Sequence, residues 1–196
     1  QAMSTFAKDL GVSLVCQQND VEDLWLNGNS ATISYQVFAK ESGQAINLGF
    51  SVHDFVQVNA KVNQGMIDQA IQWLAPEAGD QVLDLFSGVG NFSLPIASMA
   101  GQQVTLLALE GDYAMVKQGR TNAMENGLAL VDFEQSDLFD ESARKKWQKK
   151  AFNKVLLDPP RAGAKGLAKL LKGQPLERVV YVSCNPASMA RDLKEF

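Results

Sequence analysis

The stretch "QVLDLFSGVGNFSLPIASMA", residues 81–100, decides the fold. Its opening "QVLDLF" is rich in Val and Leu and reads as a strand. Gly88 and Gly90 follow, and glycine lets the backbone turn tightly and approach a ligand closely. "NFSLPIASMA" then begins a helix whose N-terminus points at that turn, where backbone N–H groups are free to bind. Strand, glycine turn and helix in that order form one unit of an α/β sheet.

The same alternation continues outward toward the C-terminus. "QVTLLALE" (103–110) reads as a strand and "DYAMVKQGRTNAMENG" (112–127) as a helix closed by Gly127. "LVDFEQSD" (130–137) and "NKVLLD" (153–158) read as strands, "AKGLAKLLKG" (164–173) as a helix, and "RVVYVSC" (178–184) as a fifth strand. Val- and Leu-rich strands separated by helices predict a parallel sheet covered on both faces. Toward the N-terminus, Val62, Met66, Ile67, Ala70, Ile71 and Leu74 fall at helical spacing, with Asn59 placed as N-cap. Before them, "GVSLVCQ", "DLWLNG", "ATISYQVFA" and "AINLGFSV" are short β-rich pieces between Asn, Gly and Ser turn signals. The expected organisation is a small β-rich subdomain, residues 1–54, followed by an α/β domain, 55–196. No internal repeat is present.

Composition narrows the classes. At 196 residues the chain is one ordinary domain with a small appendage, and 46% apolar with 20% charged residues is a globular balance. No run reaches the roughly 20 apolar residues needed to span a bilayer, and no signal-peptide pattern opens the chain. Cys16 and Cys184 are the only cysteines and have no CxxC spacing, so neither a metal site nor a disulfide framework is expected, and a cytoplasmic setting is. The net charge of −4 does not advertise a nucleic-acid binder. Locally, "ARKKWQKK" (143–150) carries five cations, and Lys154, Lys165, Lys169 and Lys172 follow. That run reads either as a solvated helix face or as an RNA-contacting patch.

Ligands of such sheets bind at the carboxyl ends of the strands, so the residues there carry the chemistry. Beyond the glycine turn, the second strand ends in Glu110, about 20 residues after Gly90, where an acid accepts hydrogen bonds from ribose hydroxyls. Both NAD(H) and S-adenosylmethionine suit this pair. Ser93 in place of a third glycine departs from the dinucleotide fingerprint, and Asp137 after the third strand favours S-adenosylmethionine by position against the adenine amine. The fourth strand ends in "LLDPPRAGA", whose prolines stop the strand and hold Asp158 at the rim, with Arg161 able to bind a phosphate or carboxylate. The fifth ends in Cys184, with Asn185 as N-cap and Pro186 as first residue of a following helix. Packing is the ordinary role of a cysteine on such a strand. Beside a methyl donor it has a second role: a sulfur nucleophile adding to C6 of a pyrimidine makes C5 nucleophilic toward the methyl group.

Taken together, "DFVQVNAKVNQGM", "DLFSGVGNFSLPIA", "LLDPPRAGA" and "VVYVSCNPASMARD" closely resemble the RNA uracil-C5 methyltransferases, and within them the bacterial 23S rRNA group. The resemblance covers residues 50–196 well and the first fifty loosely. It implies a Rossmann-like class I methyltransferase fold, S-adenosylmethionine as cofactor with S-adenosylhomocysteine as product, and RNA, 23S rRNA above all, as partner. It implies no membrane and no obligate protein partner. By the same resemblance Cys184 is the nucleophile, and Gln57, Phe86, Gly88, Gly90, Asn91, Glu110, Asp137 and Asp158 form the cofactor pocket, with Gln57 and Asp158 also beside the uracil. From its residues alone, Gln57 reads as the exposed position of a short strand.

Three departures are expected to matter. Members of this family start with an RNA-binding OB-type domain, and the 23S rRNA type carries an iron–sulfur cluster on four cysteines. Cys16 cannot support one alone, so a cluster belongs to a longer parent and not to this chain. The family's sheet closes with a further hairpin that carries a glutamate base, so the sheet is expected to be truncated after its fifth strand and that base to lie beyond residue 196. The alternatives are an S-adenosylmethionine-binding module without activity, a tRNA rather than rRNA enzyme, and a nicotinamide oxidoreductase.

Overall fold

A computed structural model of the chain describes residues 2–12, 14–18, 21–27, 33–40, 43–99, 103–140 and 147–195. The chain divides into two compact units, Gln1–Ile33 and Ser34–Phe196. The first holds helix α1 (Ala2–Asp9) and strands β1 (Leu14–Gln18) and β2 (Val21–Asn27), which pair antiparallel. The helix is unexpected, because its eight residues carry no cap or long apolar period to announce it.

The larger unit begins with β3 (Ile33–Ala39) and β4 (Gln44–Phe50), a two-stranded sheet. The compact units thus meet at 33/34, while the texture of the sequence changes near residue 54. Burial gives the reason. Val37, Ala39, Ile46 and Leu48 lie in one apolar cluster with Ile67, Ala70 and Ile71, so these strands belong to the α/β core.

Helix α2 (Ala60–Leu74) follows, with the Asn59 side chain accepting from the Val62 N–H as the cap that the sequence predicts. Then come β5 (Gln81–Leu85), α3 (Ser93–Met99), β6 (Thr105–Glu110), α4 (Tyr113–Glu125), β7 (Val131–Gln135), β8 (Lys154–Leu157), α5 (Leu167–Leu171), β9 (Arg178–Tyr181) and α6 (Pro186–Leu193). Five strands form one parallel sheet in the order β7-β6-β5-β8-β9. Successive side chains of a strand point to opposite faces. Val82, Leu106, Phe133, Leu156 and Val180 accordingly pack on one face with residues of α2, α3 and α4. Leu83, Leu85, Leu107, Leu109, Val155 and Leu157 pack on the other against Trp147, Phe152, Leu167 and Leu171. Each fully buried leucine stabilises the fold by about 1.5–3 kcal/mol. No helix among the described residues is long and apolar enough to cross a membrane.

Residues 143–146 of the basic run lie outside the described residues. Of the rest, Trp147 is buried, Lys149 and Lys150 are exposed, and Lys150 pairs with Glu134 at 3.0 Å. Lys154 is a correction to that patch. It is buried, pairs with Asp80 at 2.5 Å and also donates to the Ala75 carbonyl. It starts a central strand and offers nothing to a partner.

Helix α4 completes the free edge of β4 with two asparagines. Asn126 accepts from the Asn47 N–H at 3.0 Å and donates to its carbonyl at 2.8 Å, and Asn122 does the same for Gly49 at 2.9 and 3.0 Å. Four residues of helix rise about 6 Å and two of strand about 6.7 Å, so the amides match the strand's own spacing. Asn122, fully buried, also donates to the Val89 carbonyl at 3.0 Å and so ties the hairpin to the glycine turn. Asn122→Ala strands three buried backbone groups and is expected to cost about 2–4 kcal/mol. Asn126→Ala, nearer solvent, is expected to cost under about 1.5 kcal/mol. Urea unfolding of both variants measures the difference.

Candidate active site

The glycine turn is built by donors from one strand end meeting acceptors of the next. Phe86 and Ser87 both donate their N–H to the Leu109 carbonyl, at 3.0 and 3.1 Å, which folds the chain away from β5. Phe86 takes φ of 67°, a left-handed conformation costing a bulky residue on the order of 1–3 kcal/mol. Gly90, at φ of 101°, has no room for a side chain: a methyl group there would stand 3.0 Å from both Leu94 and Phe133.

Glu110, ending β6, binds this turn. Its Oε2 accepts from the Gly88 N–H at 3.0 Å, and its Oε1 from Gly111 and Asp112 at 2.7 and 3.0 Å. A carboxylate offers about four acceptor sites. Three are taken, so Glu110 keeps about one acceptor site for a further donor such as a ribose hydroxyl. Asn91 is also held: it exchanges two 2.9 Å bonds with Asn63 and accepts from the Tyr35 hydroxyl at 3.0 Å.

Beneath the turn, Asp84 is fully buried. Ser93 donates to its Oδ2 at 2.5 Å, which explains the serine that breaks the dinucleotide fingerprint. Burial pushes the Asp84 carboxyl up to about 7, and the nearby charges of Asp158 and Glu110 add to this against the Ser93 bond. Asp84 Oδ1, Ser87 Oγ and Ser136 Oγ are buried with no hydrogen-bond partner among the described residues. Such atoms are uncommon and point to a bound group or water.

The remaining strand ends bring the other predicted residues. Asp158 is partly buried, which raises its carboxyl to about 6, and the buried Pro159 and exposed Pro160 turn the chain after it. Asp137 is exposed and accepts from the Phe139 N–H at 2.8 Å. Cys184 is a free, exposed thiol ahead of α6, and Asn185 caps that helix by accepting from the Ala187 N–H at 3.2 Å. Gln57 is half-buried on an irregular segment, not on the short strand its neighbours suggest.

A cavity of about 790 Å³ collects these groups. Gln57, Phe86, Gly88, Asn91, Glu110, Asp137, Asp158 and Cys184 all line it, and Gly90 shapes the turn without reaching it. Tyr35, Phe55, Met66, Ser136 and Phe139 line it too, and the sequence reading missed them. Phe139 is the one with a signal: it stands two residues past Asp137, and its ring lies 5.8 Å from that of Phe86. Among the lining residues the carboxylates are Glu110, Asp137 and Asp158, and Arg161 is the only Lys or Arg. No cluster of metal-ligating side chains occurs among the described residues.

A parallel sheet with this strand order and a cavity at its carboxyl ends defines a Rossmann-like α/β protein. Precorrin-6y C5,15-methyltransferase from Geobacter metallireducens shares the fold, with a TM-score of 0.57 at 12% identity over 74% of each chain. The family model described as tRNA (Uracil-5-)-methyltransferase matches residues 7–196, and the chain belongs to that family. Curated relatives include proteins named 23S rRNA (uracil(1939)-C(5))-methyltransferase RlmD. That of Shewanella sp. (strain MR-4) is 41% identical over 191 residues, covering 97% of this chain and 42% of its own length. That of Salmonella typhimurium is 49% identical over 148 residues, covering 75% of this chain and 33% of its own. The chain thus spans less than half the length of these relatives.

Asp84 gives a stability test with a definite sign. Its carboxyl titrates near 7 when folded and near 3.9 when unfolded, so between those values the folded state holds a proton that the unfolded state has lost. Its contribution to stability is therefore fully present below about pH 4 and is lost as pH rises through 7. Asp84→Asn, which cannot ionise and can still accept from Ser93, is expected to gain on the order of 2 kcal/mol over the parent between pH 5 and pH 8. Thermal and urea unfolding at the two pH values check this, and parallel curves for parent and variant contradict it.

Proposed function

We propose that this chain is the catalytic part of an enzyme that methylates uracil C5 in RNA, with 23S rRNA as substrate, S-adenosylmethionine as cofactor and Cys184 as covalent nucleophile. One observation carries the reading: Cys184, Asp158 and Gln57 line the same cavity as Glu110 and the glycine turn. Family membership and the names of the curated relatives support the substrate. RNA as substrate makes the cytoplasm the place of action.

The residues present fit the cofactor. At about 790 Å³ the cavity lies within the usual range for ligand sites and has space for a nucleoside cofactor beside a base. Phe86 and Phe139 offer aromatic faces, and Glu110 and Asp137 offer acceptors for a ribose and an adenine amine. Three lining carboxylates against one cation suit a cofactor with a sulfonium and an ammonium, and disfavour the pyrophosphate of a nicotinamide dinucleotide. Bound S-adenosylmethionine supplies the electrophilic methyl group that the activated C5 takes.

The chain's own residues prepare the uracil. Asp158 accepts from the ring N3–H, with Gln57 beside it. The exposed Cys184 thiol gives up its proton to solvent, its sulfur forms a bond to C6, and the electrons of the C5–C6 double bond move toward O4 to give an enolate. Once C5 carries the methyl group, a base removes its proton, the double bond re-forms and the sulfur leaves. No residue of this chain is assigned to that last proton transfer.

Methyl transfer from labelled S-adenosylmethionine to a 23S rRNA fragment, with a tRNA transcript in parallel, tests the proposal on the protein at its full natural length. Transfer to the rRNA fragment is expected. Cys184→Ser is expected to lower it by about three orders of magnitude or more while cofactor affinity stays within about threefold. Transfer to tRNA alone moves the substrate to tRNA. Cofactor binding with no transfer to either reduces the chain to a binding module, and undiminished transfer by Cys184→Ser overturns the nucleophile.

A further inference from the structure

The turns that carry Asp158 and Cys184 leave the paired strands β8 and β9, whose ladder runs to Leu157 and Tyr181 and closes with the Val182 N–H on the Leu157 carbonyl at 2.8 Å. Beyond that bond the sheet no longer ties the residues after Asp158 to those around Cys184. Side chains of α6 and its flanks do. Asn185 donates to the Arg161 carbonyl at 3.0 Å, and Arg191 Nη2 to the Ala162 carbonyl at 2.8 Å. Asp192 Oδ2 accepts from the Ala164 N–H at 2.6 Å, and Glu195 from the Gly166 N–H at 3.0 Å. Backbone groups along residues 161–166 are thus bound in order by the helix that starts directly after Cys184.

Asp192 is the hub of this arrangement. It is 2% exposed. Its Oδ2 takes the Tyr181 hydroxyl at 2.8 Å as well as Ala164, and its Oδ1 takes Arg191 Nε and Nη2 at 2.8 and 2.6 Å. Burial alone would push its carboxyl up, but the bonds from Ala164, Tyr181 and Arg191 outweigh it and hold the carboxyl low. The loop is shaped to fit. Gly163 has φ of 85°, and a methyl group there would collide with Asp192 Oδ2 and stand 2.6 Å from Arg191 Nη2. None of Gly163, Tyr181, Arg191 or Asp192 lines the cavity.

We propose that Asp192 is a positioning residue that locks the Asp158–Arg161 turn to the Cys184 turn, so that ring-orienting carboxylate and nucleophile meet one base at a fixed separation. The inference rests on the reading of Cys184 and Asp158 given above. Covalent catalysis depends on that separation, because a misplacement of about 1 Å costs on the order of a hundredfold in rate. Asparagine cannot replace the aspartate. An amide placing its oxygen toward Ala164 and Tyr181 turns its NH₂ against the Arg191 guanidinium, and the opposite orientation sets NH₂ against the Ala164 N–H.

The test uses the full-length protein with Asp192→Asn, Gly163→Ala and the milder Arg191→Ala, whose side chain is half exposed. Two readouts are taken: steady-state methylation kinetics, and hydrogen exchange of peptides covering 161–164 and 184–187. Asp192→Asn and Gly163→Ala are each expected to lower kcat about 10- to 100-fold with the cofactor KM within about threefold. Both peptides are expected to exchange faster together, and the double variant to be no slower in kcat than the worse single one, because one device is broken twice. Arg191→Ala is expected to show the same pattern more weakly, and it decides the matter if Asp192→Asn does not fold. Folded variants with the parent's kcat and exchange overturn the proposal. If the parent itself does not methylate RNA, the proposed function fails and exchange alone judges the lock: loosening of both peptides supports it, and loosening of one or neither overturns it.

Discussion

Glu110 gathers the N–H groups of Gly88, Gly111 and Asp112 onto one carboxylate, and this joins the turns after two adjacent strands. The arrangement requires β5 and β6 to end level, which their register provides by pairing Leu85 with Leu109. It also requires the chain after Leu85 to double back at once, at the cost of a left-handed Phe86. From that turn the helix α3 departs, Ser93 reaches Asp84, and Asn91 reaches the Asn63 and Tyr35 side chains. The cavity is the space these commitments leave open above the sheet. Carboxylates dominate its lining charge, so a cation is welcome and a pyrophosphate is not.

The α/β part of the fold was legible because its signals are local and strong. Asn59, Asn185 and Pro186 sit where cap chemistry puts them, and Val- and Leu-rich strands on a sheet buried on both faces leave little to choose. The hairpin β3–β4 was legible as strands but not as part of this core. Its attachment runs through Asn122 and Asn126, more than seventy residues away in the chain. Asparagines in a helix look like surface residues until the edge they bind is known. Lys154 misled for a related reason: in sequence it extends a basic run, while in space it is buried against Asp80.

The candidate site divides the same way. Residues at strand ends, such as Glu110, Asp137, Asp158 and Cys184, were found by position, since a parallel sheet gathers its carboxyl ends at one rim. Gln57 was reached only through family resemblance, because an irregular segment gives a side chain no periodic address. Tyr35 comes from a hairpin that the sequence assigned to another subdomain. Asp84 was hidden in plain view as the odd polar residue of a strand, and Asp192 as one more charge on a short helix. A buried carboxylate shows its role only through its partners, and those are long-range.

Trapping the nucleophile is the most direct test of Cys184 as the attacking group. A uridine-containing RNA whose target base carries fluorine at C5 has no C5 proton to lose, so a sulfur–C6 bond formed during methyl transfer persists. Peptide mapping of the product by mass spectrometry, with and without S-adenosylmethionine, locates that bond. One adduct is expected, on the peptide containing Cys184, carrying the transferred methyl group when the cofactor is present. An adduct on any other residue, or cofactor-dependent methylation of RNA with Cys184 never modified, would contradict it.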